Sequence, residues 1–415
     1  MTENPITSGG SRAADSVETA PPAMVSLRVA AGLAMMPAVS MALGRFAYAL
    51  LLPSMRSDLG WSFTEAGAMN AASGLGFVIG ALIAAPVIRA IGGARAFMIG
   101  GLITAATLFC SGLTGLLVPL LVLRTLGGAT GAVAFIAGSA IAAAAGQGGG
   151  PGRAPLVLGI YFGGGGLGVV VSALVVPPLV AAAGWQAGWF ALGLLSFAAM
   201  AIAAPALARA PHPGPAPAGS SGRGWSIRFM APQIVSYALY GLGYIAYATY
   251  IVAYLRDTQH FLAWEISLFW ALVGIAAMIG AFAWGPVLAQ LRGGWGSVAT
   301  IGVTTLAAAI PLFFESRGAA WLSAILFGGA FLAAVAAMTA CVRRNVDPHG
   351  WTHAIGFLTV GFAAGQSIGP LMSGLVADGA DGIRAGLMLS ILVMMAAILA
   401  AAFQRERSVR PRSAA

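Results

Sequence analysis

The sequence predicts an all-α membrane protein of twelve transmembrane helices in two parallel six-helix repeats. Three observations predict this. The 415 residues are 59% hydrophobic and only 8% charged, whereas a soluble domain carries about 25% charged residues. Apolar runs of the ~20 residues needed to cross a bilayer recur along the whole chain. Stretches of the first half also return in the second at a nearly constant offset. The runs are continuously apolar and long, which favours helices over the short alternating strands of a barrel.

Residues 1–25 are polar, rich in Ser, Thr and Pro, and of mixed charge. No short apolar core with a small-residue cleavage site precedes the first long run, so a disordered cytoplasmic tail is expected rather than a signal peptide. Six runs follow, at approximately 27–52, 64–88, 96–115, 116–142, 155–181 and 186–208. They form an expected N-terminal bundle over 26–208, with only an uncharged turn between the third and fourth. Residues 209–228 contain Pro211, Pro213, Pro215 and Pro217 and read as an extended linker. Six more runs, at 229–255, 264–290, 297–315, 319–342, 352–376 and 384–403, give a C-terminal bundle over 229–404, followed by a tail at 405–415.

All 21 basic residues are arginine. With the N-terminus inside, fifteen lie in inner segments (12, 28, 89, 95, 153, 209, 223, 228, 292, 343, 344, 405, 407, 410 and 412) and four in outer ones (56, 256, 317 and 384). This asymmetry places both termini and the linker in the cytoplasm of a bacterial inner-membrane protein. The net charge of +9 is scattered between apolar runs and forms no stripe, so nucleic acid is not an expected partner.

The repeat is clearest where Gly44-Arg45-Phe46-Ala47-Tyr48-Ala49 returns as Gly243-Tyr244-Ile245-Ala246-Tyr247-Ala248. Glu65, Gly74, Ile79-Gly80-Ala81 and Pro86-Val87 return 200 residues later as Glu265, Gly274, Ile279-Gly280-Ala281 and Pro286-Val287. Gly127-Gly128-Ala129 matches Gly328-Gly329-Ala330, and Gly164, Gly168 and Ser172 match Gly365, Gly369 and Ser373, at 201. Two duplicated units of the same orientation follow, related by an axis along the membrane normal.

This layout over about 26–405 resembles the major facilitator superfamily. Arg124-Thr125-Leu126-Gly127-Gly128-Ala129-Thr130-Gly131 is similar to its fourth-helix arginine–glycine motif, and Arg89-Ala90-Ile91-Gly92-Gly93-Ala94-Arg95 occupies its loop between helices two and three, without the usual acid. The stretches GRFAYALLLPSM, GALIAAP, GYIAYATY and GQSIGP resemble the YbfB/YjiJ-type branch, although Ser73-Gly74 stand where an Asn-Tyr pair is common. The resemblance implies a major facilitator fold in which helices one, four, seven and ten line a central cavity.

Arg45 and Arg124 are the sharpest candidate residues. An arginine at the centre of a membrane helix costs about 2.5–3.5 kcal/mol to insert, so a compensating role is the default. Arg45 lies eight residues before Pro53 and Arg124 eight after Leu116, which puts both roughly 12 Å below the outer rim. Their repeat counterparts are Tyr244 and Ile325, so the cavity is expected to be basic on one side and neutral on the other. A guanidinium fork matches an anion; the competing role is bracing of helices through backbone carbonyls.

Six of the eight tyrosines (237, 240, 244, 247, 250 and 254) line one face of the seventh run, with Gln233 in line. Tyr240, Tyr244, Tyr247 and Gln233, with Tyr48 of the opening motif and Gln366 of the eleventh run, are candidate substrate contacts; packing is the alternative. Gly365-Gln366-Ser367-Ile368-Gly369-Pro370 is expected to soften its helix. Glu65 and Glu265 stand in first helical turns, where a carboxylate suits the helix N-terminus. They are also the candidate proton carriers, because no other carboxylate lies within a run.

Other chemistry finds no support. Gly163 to Gly168 fits GxGxxG but follows no strand, so close helix packing is expected. Cys110 and Cys341 give no metal spacing, and His349 and His353 stand alone in a loop. No nucleophile–base set, cofactor motif or ATPase domain is present, so no enzyme, metal or cofactor is expected. The expectation is a monomeric secondary transporter of a small organic solute, an organic anion by the charge of Arg45 and Arg124, by alternating access and with proton symport as the candidate coupling. A drug or metabolite efflux carrier is the alternative within that class, and a non-transporting membrane sensor or scaffold the alternative outside it.

Overall fold

The computed structural model describes residues 27–147, 153–211, 225–347 and 350–406. The N-terminal tail, most of the linker, the last residues of the C-terminal tail and His349 lie outside the described residues. Among the described residues, eleven helices are long and apolar enough to cross a membrane. They are α1 (Leu27–Leu59), α2 (Phe63–Ile91), α3 (Gly93–Leu113), α4 (Leu117–Gly146), α5 (Arg153–Arg209), α6 (Ile227–Asp257), α7 (Ala263–Gln290), α8 (Trp295–Phe313), α9 (Arg317–Asn345), α10 (Trp351–Ala377) and α11 (Gly382–Ala402).

The expected fifth and sixth runs are joined in α5, whose 57 residues span far more than one bilayer. Gly184, at φ 78 and ψ 175, is non-helical and divides α5 into two limbs. Connections near Gly60, Gly184, Gln259 and Asp378 gather at one end of the bundle, here called the Gly184 face; those near Gly92 and Arg292 gather at the other.

The most apolar stretches of α1 and α6 are 72% and 83% buried, against 33% in α2 and α10. These two helices, which carry the paired motifs, are therefore the central pair. α2 packs along α4 and α7 along α9, while α10 and α11 pack on α6. Across the two halves, α2 meets α10, α5 meets α7 and α1 meets α6.

Glycines let backbones touch in the same way in both halves. A Cβ on Gly80 would lie 2.1 Å from Ala129 O, and one on Gly280 2.2 Å from Gly329 O. Gly128 faces Ser73 O and Gly328 faces Val273 O in the same manner. These contacts correspond at an offset of 200, not 201. They set Ala324, fully buried, opposite Arg124, whereas Ile325 is 47% exposed. The expected pairing of Arg124 with Ile325 is thus corrected by one residue; the counterpart stays neutral.

α1 is not uniform. Pro37 lacks the N–H that would continue the ladder, Ser40 Oγ donates to Met36 O at 2.9 Å, and residues Ala38–Phe46 form a π-helix. The register closes with Ala47 N donating to Ala42 O at 2.8 Å. The softened helix expected at Gly365 to Pro370 is not seen, because α10 runs unbroken through it. The two glycines instead bring α10 onto α6, where a Cβ would lie 2.2 Å from Ala238 O and 2.1 Å from Leu242 O.

Candidate functional site

The π segment carries Arg45 into the contact between the halves. Its side chain is 3% exposed, and its Nε and Nη2 have no hydrogen-bond partner. These nitrogens share the guanidinium edge that holds a carboxylate through two parallel hydrogen bonds. The guanidinium lies 5.9 Å from the centre of the Phe77 ring. A Cβ on Gly74 would stand 3.2 Å from Nη2 and 3.0 Å from Ser367 Oγ, so glycine at 74 leaves room for arginine between α2 and α10. From the other half, Tyr244 lies within electrostatic reach of Arg45. Gln366 Nε2 donates to the Tyr244 hydroxyl, and the Tyr244 ring is stacked on Phe362, with centroids 5.7 Å apart.

Arg124, also 3% exposed, is held differently. Nη1 donates to Gly44 O at 2.6 Å and Nε to Met69 O at 3.4 Å. Its guanidinium carbon lies 5.4 Å from the ring centres of both Tyr48 and Trp189. Only Nη2 lacks a partner. Tyr48 donates its hydroxyl to Ala66 O at 2.7 Å, joining α1 to α2. Among the described residues, neither Arg45 nor Arg124 forms an ion pair with a carboxylate.

Tyr240 and Tyr247 of α6 spend their hydroxyls within one half. Tyr240 donates to Phe331 O at 2.6 Å, and Tyr247 shares a 3.0 Å bond with Ser323. Gln233 Nε2 donates to Ser297 Oγ at 2.7 Å, although its Oε1 has no partner. Thus the structure brings together Arg45, Tyr244 and Gln366. It places Arg124 and Tyr48 beside them in the first half, and sets Gln233, Tyr240 and Tyr247 against neighbouring helices.

Glu65 and Glu265 both close helix N-termini. Ser62 N donates to Glu65 Oε2 at 2.9 Å while Ser62 Oγ accepts from Glu65 N, a reciprocal cap. Leu262 N donates to Glu265 Oε2 at 2.8 Å, and Arg317 Nε reaches Glu265 Oε1 at 3.1 Å.

Sequence reasoning missed the residues that hold the halves together on the Gly184 face. Asp378, just beyond α10, accepts from Phe63 N at 2.6 Å, Thr64 N at 3.0 Å and Thr64 Oγ1 at 2.6 Å. Tyr250 donates to Phe63 O and Pro370 O, both at 2.7 Å. Asn70 Nδ2 donates to Thr249 Oγ1 at 2.6 Å, and Arg56 approaches Asp257 at 3.7 Å while lying over the Phe63 ring. Burial raises the Asp378 pKa, but the hydrogen bonds from Thr64 and Phe63 and the Arg56 charge outweigh it and hold the carboxyl below its ordinary value. Local sequence signals existed only for Thr64, a hydroxyl in a first helical turn whose partner lies 314 positions away, and for Tyr250, one tyrosine of the α6 stripe.

The family described as uncharacterised MFS-type transporter YbfB matches residues 37–402. The chain belongs to this family. It is therefore a membrane transporter of the major facilitator type, as its motifs imply. No curated protein matches the sequence. A mutant form of the nucleoside transporter NupG aligns with a TM-score of 0.73 at 15% identity, covering 90% of this chain and 98% of that one. A bacterial homologue of the human lysosomal transporter Spinster, inward-facing and unoccupied, aligns with a TM-score of 0.68 at 13% identity, covering 90% and 96%. Its occupied form gives 0.69 at 14%, covering 90% and 95%. At such identities the likeness shows the fold of this transporter alone.

Proposed function

We propose that this transporter is a secondary active carrier of a small organic anion, working by alternating access at a site near mid-membrane. The observation that carries the reading is the paired unpartnered edge of Arg45, Nε and Nη2, buried where the two halves meet. A buried guanidinium without a partner is costly, and an anion seated there removes the cost. Tyr244 and Gln366 supply the opposite wall, with a hydroxyl and an amide that orient the rest of the solute. Arg124 chiefly braces α4 against α1 and α2 through Gly44 O and Met69 O, and its free Nη2 adds positive potential.

In this reading each limb of α5 crosses the bilayer, giving twelve crossings in bundles of 26–208 and 229–404 joined by the 209–228 linker. The arginine asymmetry supports cytoplasmic termini in a bacterial inner membrane, with the Gly184 face outside. The hydrogen bonds clustered on the Gly184 face support an outward-closed state.

The test is uptake into proteoliposomes of radiolabelled mono- and dicarboxylic acids beside their neutral amides. Uptake of an acid but not of its amide supports the reading; equal uptake of both, or of the amide alone, contradicts it.

A further inference from the structure

A carrier whose site holds buried positive charge must neutralise that charge each time the site closes. Proton symporters do this with a carboxylate in the substrate path, which releases the arginine or takes a proton as the solute leaves. The described residues offer no such group. Glu65 is bound to Ser62 N in a reciprocal cap, and Glu265 to Leu262 N and Arg317. Asp257 pairs with Arg56 and lies beside Arg256. Asp378 is engaged by Phe63 and Thr64. None of these four contacts Arg45 or Arg124. The groups near Arg45 or within its electrostatic reach include the phenol of Tyr244, the ring of Phe77, the hydroxyl of Ser367 and the Arg124 charge. None of them is an anion at neutral pH.

From this arrangement we propose that the protein is an obligatory anion exchanger: Arg45 allows the halves to change places readily only with an anion on its Nε–Nη2 edge, so the site crosses loaded in both directions. The inference rests on the organic-anion reading and adds its coupling. With an anion seated, the two N–H groups are bonded and the local charge is offset. With the site empty, the occluded intermediate must hold Arg45 and Arg124 together in a low-dielectric interior, where like charges repel and neither is solvated. The empty return step is therefore slow, and an anion from the opposite side speeds it. No proton has to bind or leave the protein for the cycle to close.

The experiment uses the purified full chain in proteoliposomes, with ¹⁴C-labelled lactate, succinate and benzoate outside. Vesicles hold either the same unlabelled acid or sodium chloride alone. For the acid that is carried, uptake is expected to be about tenfold or more faster into acid-loaded vesicles, the rate ratio of a modest barrier difference, and unchanged when a protonophore collapses the pH gradient. Equal uptake into both kinds of vesicle, or uptake driven by an imposed proton gradient and abolished by the protonophore, overturns exchange while leaving anion transport standing. Uptake of none of the three acids under any condition, with no thermal stabilisation by any of them, overturns the organic-anion reading itself. Arg45→Lys keeps the charge and is expected to keep the requirement for internal acid, at weaker affinity. Arg45→Gln, shown to be folded by an unchanged elution profile, is expected to lose the difference between loaded and unloaded vesicles. Retention of that difference in Arg45→Gln contradicts the role given to the charge.

Discussion

Thr64 and Asp378 stand 314 residues apart in the chain, yet the Asp378 carboxylate takes both the backbone N–H and the hydroxyl of Thr64, at 3.0 and 2.6 Å. The contact joins the end of α10 to the first turn of α2, where a negative charge also suits the helix N-terminus. It fastens one half of the transporter to the other on the Gly184 face, directly above the Arg45 site.

Asp378→Asn keeps the shape of this clamp but removes its charge and one acceptor. It is expected to weaken the closed state by about 1 kcal/mol and to populate an open Gly184 face. Spin labels at Leu116→Cys and Phe314→Cys, both exposed positions on that face, measure the opening as a longer distance; an unchanged distance distribution counts against the clamp. Because the folded carboxyl lies below its ordinary value, its contribution is fully present above about pH 4. It is lost as the pH falls through the lowered value. The distance is therefore expected to stay constant from roughly pH 5 to 8 and to lengthen only in stronger acid, which makes the clamp a latch and not a physiological proton switch.

Tyr250 is fully buried and spans both halves through Phe63 O and Pro370 O. Tyr250→Phe keeps the ring and removes the one proton shared between the two carbonyls, an expected loss of about 1 kcal/mol from the closed state. The same labelled pair reads it, and Asp378→Asn with Tyr250→Phe is expected to open the face further than either alone.

Gly80→Ala and Gly128→Ala would each push a Cβ to 2.1–2.2 Å from a backbone oxygen of the facing helix. Each is expected to destabilise the α2–α4 pair by about 1–3 kcal/mol, read as a lower melting temperature. Gly163→Ala is the control: nothing lies within 4 Å of the added atom, and better helix propensity leaves it neutral or stabilising by about 0.5–1 kcal/mol.

Arg124→Lys is expected to lower stability by about 1.5–3 kcal/mol, because a point ammonium cannot reach Gly44 O and Met69 O together while lying beside Tyr48 and Trp189. Stability unchanged in Arg124→Lys would remove the bracing role.

Much of this was legible along the chain, and what was not has a physical reason. Helix existence follows from local apolar length, so the runs emerge within a few residues of the helices. Close packing follows from glycine spacing, so Gly164 and Gly168 are found against Ala34 O and Ala38. Arg45 is conspicuous because a charge in an apolar run has few explanations. Other features depend on partners that sequence does not place nearby. The π segment reflects Pro37 and Ser40 acting on a ladder that composition describes as ordinary helix. The hydroxyls of Tyr240 and Tyr247 point to Phe331 and Ser323, which no spacing on α6 reveals. Asp378 lies in an unremarkable loop, and only the meeting of α10 with α2 gives it work. Glycine identity alone pairs Arg124 with Ile325, whereas the backbone contacts of Gly128 and Gly328 fix the register at Ala324.

The most direct measurement is thermal stabilisation of purified wild-type and Arg45→Gln protein by lactate, succinate and benzoate beside their neutral amides. The anion reading expects at least one acid, and none of the amides, to raise the wild-type melting temperature. It also expects Arg45→Gln to fold and lose that increase, while Arg45→Lys keeps part of it. An equal increase in wild type and Arg45→Gln, or stabilisation by an amide as strong as by its acid, contradicts it.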